Sequence, residues 1–147
     1  MIKITQNRSG CPISSSLEII GDTWSLLIIR DLFLQRTTFS EFMNSPEKIS
    51  SNILTNRLKK LLNFNLIEFH RDQKDKKVKK YFLTAAGIDL YPLIYNISIW
   101  SKKHLDIEYN NIAFDWFKEN FDKTPSQTIV DDVKTYENFK ESTLKNI

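Results

Sequence analysis

The chain has little cysteine, histidine and glycine, and these shortages exclude several kinds of site. A single cysteine in 147 residues cannot form a disulfide within one chain. Two histidines and that cysteine show no spacing typical of metal ligands, and none of the three glycines belongs to a phosphate-binding loop. No pattern orients a base towards the thiol. We therefore expect no metal, no cofactor, no catalytic residues and no enzyme.

Long apolar runs are also missing. No stretch approaches the roughly 20 apolar residues that a membrane-spanning helix needs. The first ten residues, MIKITQNRSG, lack the apolar core of a signal peptide. The hydrophobic fraction of 41% is nevertheless high enough for a packed core. We expect a folded domain in the cytoplasm without membrane contact.

One helix with an unusual polar face is predicted after Ser50, which is a suitable N-cap. Its apolar stripe consists of Ile53, Leu54, Leu58, Leu61 and Leu62. Candidate base-reading residues lie on the other side, namely Ser51, Asn52, Thr55 and Asn56. Amide side chains can pair with adenine edges in the major groove. The alternative is an ordinary surface helix, although such helices more often mix glutamate with lysine.

A charged hairpin is predicted directly after this helix. Residues 66–69 and 78–83 read as strands, and residues 71–77 form a turn without apolar side chains. From Arg57 to Lys80 there are nine basic and three acidic residues, a net charge of +6, whereas the whole chain carries +3. Positive charge is therefore concentrated where a DNA backbone would lie. The candidate phosphate contacts are Lys59, Lys60, Arg71, Lys74, Lys76, Lys77 and Lys79.

The remaining pattern is mostly helical. Helices are predicted over residues 14–20, 24–34 and 39–43, with Gly21 just after the first and Thr38 and Glu41 in a capping box. A long helix should run from Thr84 to about residue 103 with a kink at Pro92. The predicted fold class is mainly α with a small β-hairpin wing (α+β), that is, a winged helix-turn-helix.

The composition changes near residue 105. Residues 104–147 carry nine acids and five bases, a net charge of −4. We predict a DNA-binding domain over residues 1–104 and a helical C-terminal extension over 105–147. A break is expected at residues 124–126 and a final helix at 129–144. The extension could be a dimer arm, a cover over a pocket or additional core.

From Cys11 to about Lys103 the chain resembles the HxlR-type transcriptional regulators, relatives of the MarR-like winged-helix proteins. The matching pieces are Cys11-Pro12, LEIIGDTWSLLIIRDLF from Leu17, FSEF from Phe39, ISSNILTNRLKKL from Ile49 and YFLTAAG from Tyr81. The resemblance implies a homodimer that binds a pseudo-palindromic operator in double-stranded DNA and responds to a small molecule or reactive species. The wing departs from a common family form, since it has charges in place of consecutive prolines.

A further expectation concerns the dimer interface. The first helix and the long helix after the wing carry more apolar surface than a small winged helix needs for its own core. The predicted dimer seam therefore comprises Leu17, Ile20, Leu93, Ile97 and Trp100.

Cys11 matches a cysteine that senses oxidants or electrophiles in some members of the family. It precedes a helix N-terminus, whose partial positive charge favours a thiolate, and Arg8 is close in sequence. The alternative is a small residue that only packs at the seam.

Two functional classes remain besides an enzyme. The first is a DNA-binding transcriptional regulator. The second is a winged-helix module that binds proteins without reading DNA sequence. The basic segment favours the first class, because a protein-binding module does not need a segment of charge +6.

Overall fold

The computed structural model describes residues 1–4 and 9–147. In chain order the elements are α1 (Pro12–Ile20), α2 (Ser25–Phe33), α3 (Phe39–Met43), α4 (Ser51–Asn63), β1 (Ile67–Arg71), β2 (Lys79–Leu83), α5 (Ala85–Ile88), α6 (Tyr91–His104), α7 (Asn111–Glu119) and α8 (Pro125–Leu144). The mainly helical fold with one antiparallel hairpin, predicted from the sequence, is confirmed.

The core lies where α2, α4 and the hairpin meet. The residues that are essentially inaccessible there are Ile29, Leu32, Leu54, Leu61, Phe82 and Leu83. Because side chains at helical spacing share one face, burial of Leu54, Leu58 and Leu61 leaves the polar residues of α4 on the outside. The apolar stripe therefore sets which face of α4 is free.

The hairpin is joined to the helices by one more backbone contact. Its register runs from Ile67 opposite Leu83 to Arg71 opposite Lys79. The Tyr81 N–H donates to the carbonyl oxygen of Thr37 at 2.7 Å, so the segment before α3 extends the pairing of β2. This contact ties the root of the wing to the start of the helix-turn-helix.

The predicted single helix after the wing is wrong. Thr84 is its N-cap as expected, but α5 ends at Ile88 and α6 begins at Tyr91. Pro92 lies in the first turn of α6, where its missing N–H has no helical partner to lose, so the chain starts a new helix there rather than kinking.

Gly87 explains part of this geometry. A Cβ built on Gly87 would lie 2.1 Å from the carbonyl oxygen of Leu66. Only glycine allows α5 to approach the start of β1 so closely. Gly87 is therefore a close-packing position within α5 rather than a simple turn residue.

The C-terminal extension contains two helices. α7 was not predicted as an element, although Asn110 caps it by accepting from the Ala113 N–H at 2.9 Å. The break expected at residues 124–126 is instead the start of α8, because Thr124 and Gln127 form a capping box. The final helix therefore exists as predicted, but it begins at Pro125, four residues before the predicted start.

Helix α8 packs against the hairpin and contributes to the core. Tyr136 is 1% exposed, and its hydroxyl oxygen accepts from the Leu83 N–H at 2.7 Å. The Lys140 ammonium donates to the Leu83 carbonyl at 2.7 Å and pairs with Glu68 at 2.7 Å. One of the three roles considered for the extension, that of additional core, therefore applies to α8. The domain boundary at residue 104 stays a prediction.

Replacing Tyr136 by phenylalanine should reveal this contribution. The change leaves the buried Leu83 N–H without an acceptor, which should lower the free energy of unfolding by about 1–3 kcal/mol. Urea denaturation measures the difference. Tyr109→Phe is the control, because no hydrogen bond of the Tyr109 hydroxyl is found within residues 1–4 and 9–147. A loss for Tyr136→Phe no larger than that of the control would contradict the role given to α8.

Candidate nucleic-acid interface

The outer face of α4 presents the four predicted base-reading side chains. Ser51, Asn52, Thr55 and Asn56 are all exposed. Ser50 caps the helix by accepting from the Ile53 N–H at 3.3 Å. Thr55 donates its hydroxyl to the Ser51 carbonyl at 2.8 Å and retains acceptor capacity. Within the described part of the chain, the amides of Asn52 and Asn56 form no hydrogen bond, so both are free to meet a partner.

A carboxylate in the turn before α2 holds α4 in place. Asp22 accepts from the backbone N–H groups of Trp24 and Ser25 at 3.0 and 2.9 Å, and from the Ser25 hydroxyl at 2.6 Å. It also accepts from Arg57 Nε at 2.8 Å and from Lys60 Nζ at 3.2 Å. Asp22 therefore links the N-terminus of a core helix to the middle of α4.

The charge of Asp22 is stabilised by this arrangement. Burial alone would raise the pKa of Asp22, but hydrogen bonds from Ser25 and Lys60 outweigh it and hold the pKa well below the ordinary value. Sequence reasoning missed Asp22 as a positioning residue. An Asp three residues before Ser25 does indicate a local turn, but its contacts with Arg57 and Lys60 bridge more than thirty residues and leave no local signal.

The same network engages one of the predicted phosphate contacts, Lys60, in an ion pair within the protein. Lys60 is only 25% exposed, because its ammonium is paired with Asp22. Lys59, in contrast, is exposed on the outer side of α4. Both remain predicted DNA contacts, but only Lys59 has its ammonium free of an ion pair among the described residues.

Two acids order the turn of the wing. Asp72 accepts from the backbone N–H groups of Lys74 and Asp75 at 2.8 and 3.2 Å, and pairs with Lys80 at 2.7 Å. The hydrogen bond from Lys80 is the main reason that the pKa of Asp72 is lowered to about 2. Asp75 accepts from the Lys77 N–H at 3.0 Å. These acids thus fix the loop and neutralise Lys80.

The predicted cations of the wing differ in exposure and in the contacts of their charged groups. Lys74, Lys76 and Lys77 are exposed at the tip. Arg71 is also exposed, although one guanidinium N–H donates to the Lys76 carbonyl at 2.8 Å. Lys79 lies over the Phe69 ring, 4.4 Å from its centroid. The structure therefore groups the positive charge at the tip, with Lys79 further down the strand.

Four of the five residues predicted for the dimer seam are exposed. Leu17 lies on α1, Leu93, Ile97 and Trp100 lie on α6, and Trp100 is 57% exposed. Ile20 is different: it is 7% exposed and packs in the core of its own protomer. Its assignment to the seam stays a prediction, but its burial leaves little of this side chain for a partner to contact.

Cys11 is the exposed N-cap of α1. Its backbone N–H donates to the Ser9 hydroxyl oxygen at 3.3 Å, and its thiol makes no capping hydrogen bond. Arg8 lies outside the described residues. The thiol is thus accessible at the start of a helix that carries part of the predicted seam.

Arg30 and Asp31 form an ion pair within a larger network of charges. Buried Asp31 receives both Arg30 and Arg36, at 2.7 and 2.8 Å. Arg30 also binds Glu47 at 2.6 Å, and this hydrogen bond is the largest cause that lowers the pKa of Glu47 to about 2. Among the described residues no group of three His, Cys, Asp or Glu side chains could hold a metal ion. No helix of this part of the chain is long and apolar enough to cross a membrane.

A helix-turn-helix with a two-stranded wing places this protein in the winged-helix class. The chain belongs to the HxlR-like helix-turn-helix family, whose model matches residues 19–109. It is therefore an HxlR-type transcriptional regulator, a member of a family whose partner is DNA.

Individual relatives agree with this assignment. The HTH-type transcriptional regulator YdeP of Bacillus subtilis is 34% identical over 100 residues, which cover 66% of this chain and 76% of YdeP. The crystal structure of PA1607 is similar with a TM-score of 0.63 and 32% identity, covering 71% of this chain and 72% of that one. The transcriptional regulator YodB of B. subtilis in its reduced form has a TM-score of 0.55 and 27% identity, over 67% of this chain and 97% of YodB. YodB has also been solved bound to quinone and after diamide treatment.

Replacing Asp22 by asparagine should destabilise the protein in a pH-dependent way. The change weakens charge-assisted hydrogen bonds, which should cost about 1–3 kcal/mol in the free energy of unfolding at neutral pH. Because folding lowers the pKa of Asp22, its stabilising effect is full above the ordinary value of 3.8 and is lost as pH falls through the folded-state value. Urea denaturation of wild type and Asp22→Asn at about pH 7 and about pH 3 should therefore show a smaller difference at the lower pH.

Asp115→Asn is the matched control, since Asp115 is exposed on α7 and has no ion pair within the described ranges. A difference between Asp22→Asn and wild type that is equal at both pH values would contradict the role of the Asp22 charge.

Proposed function

We propose that this regulator binds DNA sequence-specifically as a homodimer, with α4 in the major groove and the wing on the backbone. One observation carries the proposal: exposed amides without a hydrogen-bond partner among the described residues line the outer face of α4, and a wing with exposed cations follows it. Amides that already formed hydrogen bonds within the protein would have to break those bonds before they could read base edges.

The proposal divides the contacts into two groups. Ser51, Asn52, Thr55 and Asn56 would contact base edges from the first two turns of α4. Lys59 and the wing cations would contact phosphates, which fixes the register but carries no sequence information. Lys60 would make a weaker contact, since it would have to leave or share Asp22.

Exposed apolar side chains on α1 and α6 support a symmetric dimer. Leu17, Leu93, Ile97 and Trp100 are joined there by Ile13, which is also exposed. A twofold interface that buries this surface would set two copies of α4 about 34 Å apart, one turn of DNA. Such a regulator would act on a pseudo-palindromic operator in the cytoplasm.

We also propose that Cys11 makes the regulator responsive to oxidants or electrophiles. The exposed thiol and the quinone-bound and diamide-treated forms of YodB support this. With diamide, two Cys11 thiols of a dimer would lose two protons and two electrons to the diazene and form a disulfide. With a quinone, the thiolate would add to a ring carbon and yield a hydroquinone adduct. Either product changes the presumed seam.

Selection of bound fragments from random DNA tests the central proposal. Wild type should recover a pseudo-palindrome, and Asn56→Ala should relax one base position per half-site, at a cost of roughly 1–3 kcal/mol. Lys76→Gln with Lys77→Gln should instead weaken all sequences alike and reduce the slope of log K against log salt by about 0.9 per lost contact.

Asn138→Ala is the control, because Asn138 is an exposed amide on α8, far in sequence from the proposed interface. An unchanged base preference for Asn56→Ala would refute the assignment of this face. Recovery of no enriched sequence would favour a module that binds proteins.

Oxidation should alter operator affinity only while Cys11 is present. Diamide or a quinone should change the affinity of wild type by tenfold or more, or about 1.4 kcal/mol. Cys11→Ser should not respond, because serine forms neither a disulfide nor a stable quinone adduct. Fluorescence anisotropy with a labelled operator measures both proteins. An equal response of both would make Cys11 a packing residue.

A further inference from the structure

A cleft of about 470 Å³ lies between α2, α6 and α7, and its volume is typical of sites for small organic molecules. Its walls include Asn110, Ile112, Ala113, Trp116, Phe117, Asp132 and Thr135, which all follow the family match at residues 19–109. Another cavity beside Trp24 encloses only about 10 Å³, room for one water at most. The larger cleft thus depends on the C-terminal extension of this chain.

Aromatic rings form much of the wall. Phe33 of α2 meets Tyr91 of α6 edge-on, with 4.6 Å between ring centroids. Trp116 of α7 is 5.8 Å from Tyr95 and 5.1 Å from Phe117. The Phe117 ring already attracts a cation, since the Lys102 ammonium lies 4.6 Å from its centroid. Rings of this kind bind organic cations through their electron-rich faces.

One carboxylate among these rings, Asp132, forms no ion pair with the described residues, although its charge does act on Lys123 from a greater distance. Asp132 Oδ2 accepts from the Tyr91 hydroxyl and from Trp116 Nε1, the latter at 2.8 Å. Burial and the neighbouring Asp132 raise the pKa of Tyr91, so its hydroxyl stays a neutral donor. Across residues 1–4 and 9–147 no Lys, Arg or His forms an ion pair with Asp132. The adjacent Asp131, by contrast, pairs with Lys123 at 3.0 Å.

The other charges of the cleft do not compensate Asp132. Arg30 and Arg36 line its far side, but their charges are balanced by Asp31 and Glu47 in the network described above. Glu108 adds another negative charge to the wall. The lining is therefore apolar and aromatic, and its two arginines face three carboxylates, Glu47, Glu108 and Asp132, which gives the lining side chains a net charge of −1.

We propose that this cleft binds a lipophilic organic cation, with Asp132 as its counter-ion and the rings of Tyr95, Trp116 and Phe117 around its apolar part. A neutral ligand would leave Asp132 without a counter-charge, and an anion would be repelled by it. Ile97 lines the cleft and also belongs to the proposed dimer seam. Any effect of the bound cation on DNA binding would rest on the proposed function, whereas binding of the cation itself does not.

Tetraphenylphosphonium and tetraphenylborate are matched probes, because they share size and shape but have opposite charges. Isothermal titration of the full chain without DNA should show binding of the phosphonium and at least tenfold weaker binding of the borate. Asp132→Asn should weaken phosphonium binding about tenfold, the equivalent of about 1.4 kcal/mol. Asp131→Asn, with the same loss of charge one residue away, should stay within about twofold of wild type, since Asp131 does not line the cleft.

Ala113→Phe is a second variant, which fills the cleft and leaves residue 132 as aspartate. It should abolish phosphonium binding, and it provides a test even if Asp132→Asn fails to fold. The proposal is overturned if wild type does not bind the phosphonium, if the borate binds as tightly, or if folded Asp132→Asn or Ala113→Phe binds it like wild type. Operator binding by the free protein is measured separately. Phosphonium binding without any operator binding would refute the proposed function and leave this inference intact.

Discussion

The carboxylate of Asp22 ties α4 to the start of α2, in addition to the buried leucines that turn one face of α4 inward. This side chain is fixed by two backbone N–H groups at the start of α2, a helix that lies in the core, and it draws Arg57 and Lys60 towards that end. Two cations of α4 are thereby turned to the side of the helix. The outer face is left to uncharged amides and hydroxyls, with Lys59 next to them. A surface of this composition would favour base edges over phosphates, which is what the proposed reading of DNA by α4 requires.

The wing follows a related rule. Three acidic residues lie within the segment of nine basic residues, and a net charge computed from the sequence shows them only as a reduction of the positive charge. In the structure Asp72 and Asp75 accept backbone N–H groups of the turn, and Asp72 also holds Lys80. The acids thus order the loop from within while the lysines at its tip stay free. An ordered loop loses less conformational entropy on binding, so the fixed turn assists the exposed charges.

Local features of the sequence were sufficient to predict most of the framework. The caps at Thr38, Ser50 and Thr84 depend on side chains that contact backbone groups a few residues away, and all three are confirmed. Contacts across the chain could not be predicted in this way. The apolar pattern of α1 cannot tell whether a side chain such as Ile20 packs in its own protomer or against another, and a lysine on a polar face shows no sign of a distant acid. The break before Pro92 was missed because a proline is compatible with both a kink and a new helix start.

The C-terminal extension connects the cleft to the wing through one helix. Asp132, Tyr136 and Lys140 are spaced by four residues and therefore lie on the same face of α8. Asp132 lines the cleft, whereas Tyr136 and Lys140 hold the N–H and the carbonyl of Leu83 at the end of β2. If the proposed cation displaced Asp132, the same helix would carry part of that displacement to the groups that hold the root of the wing. The cleft and the end of β2 thus share contacts with a single helix, α8.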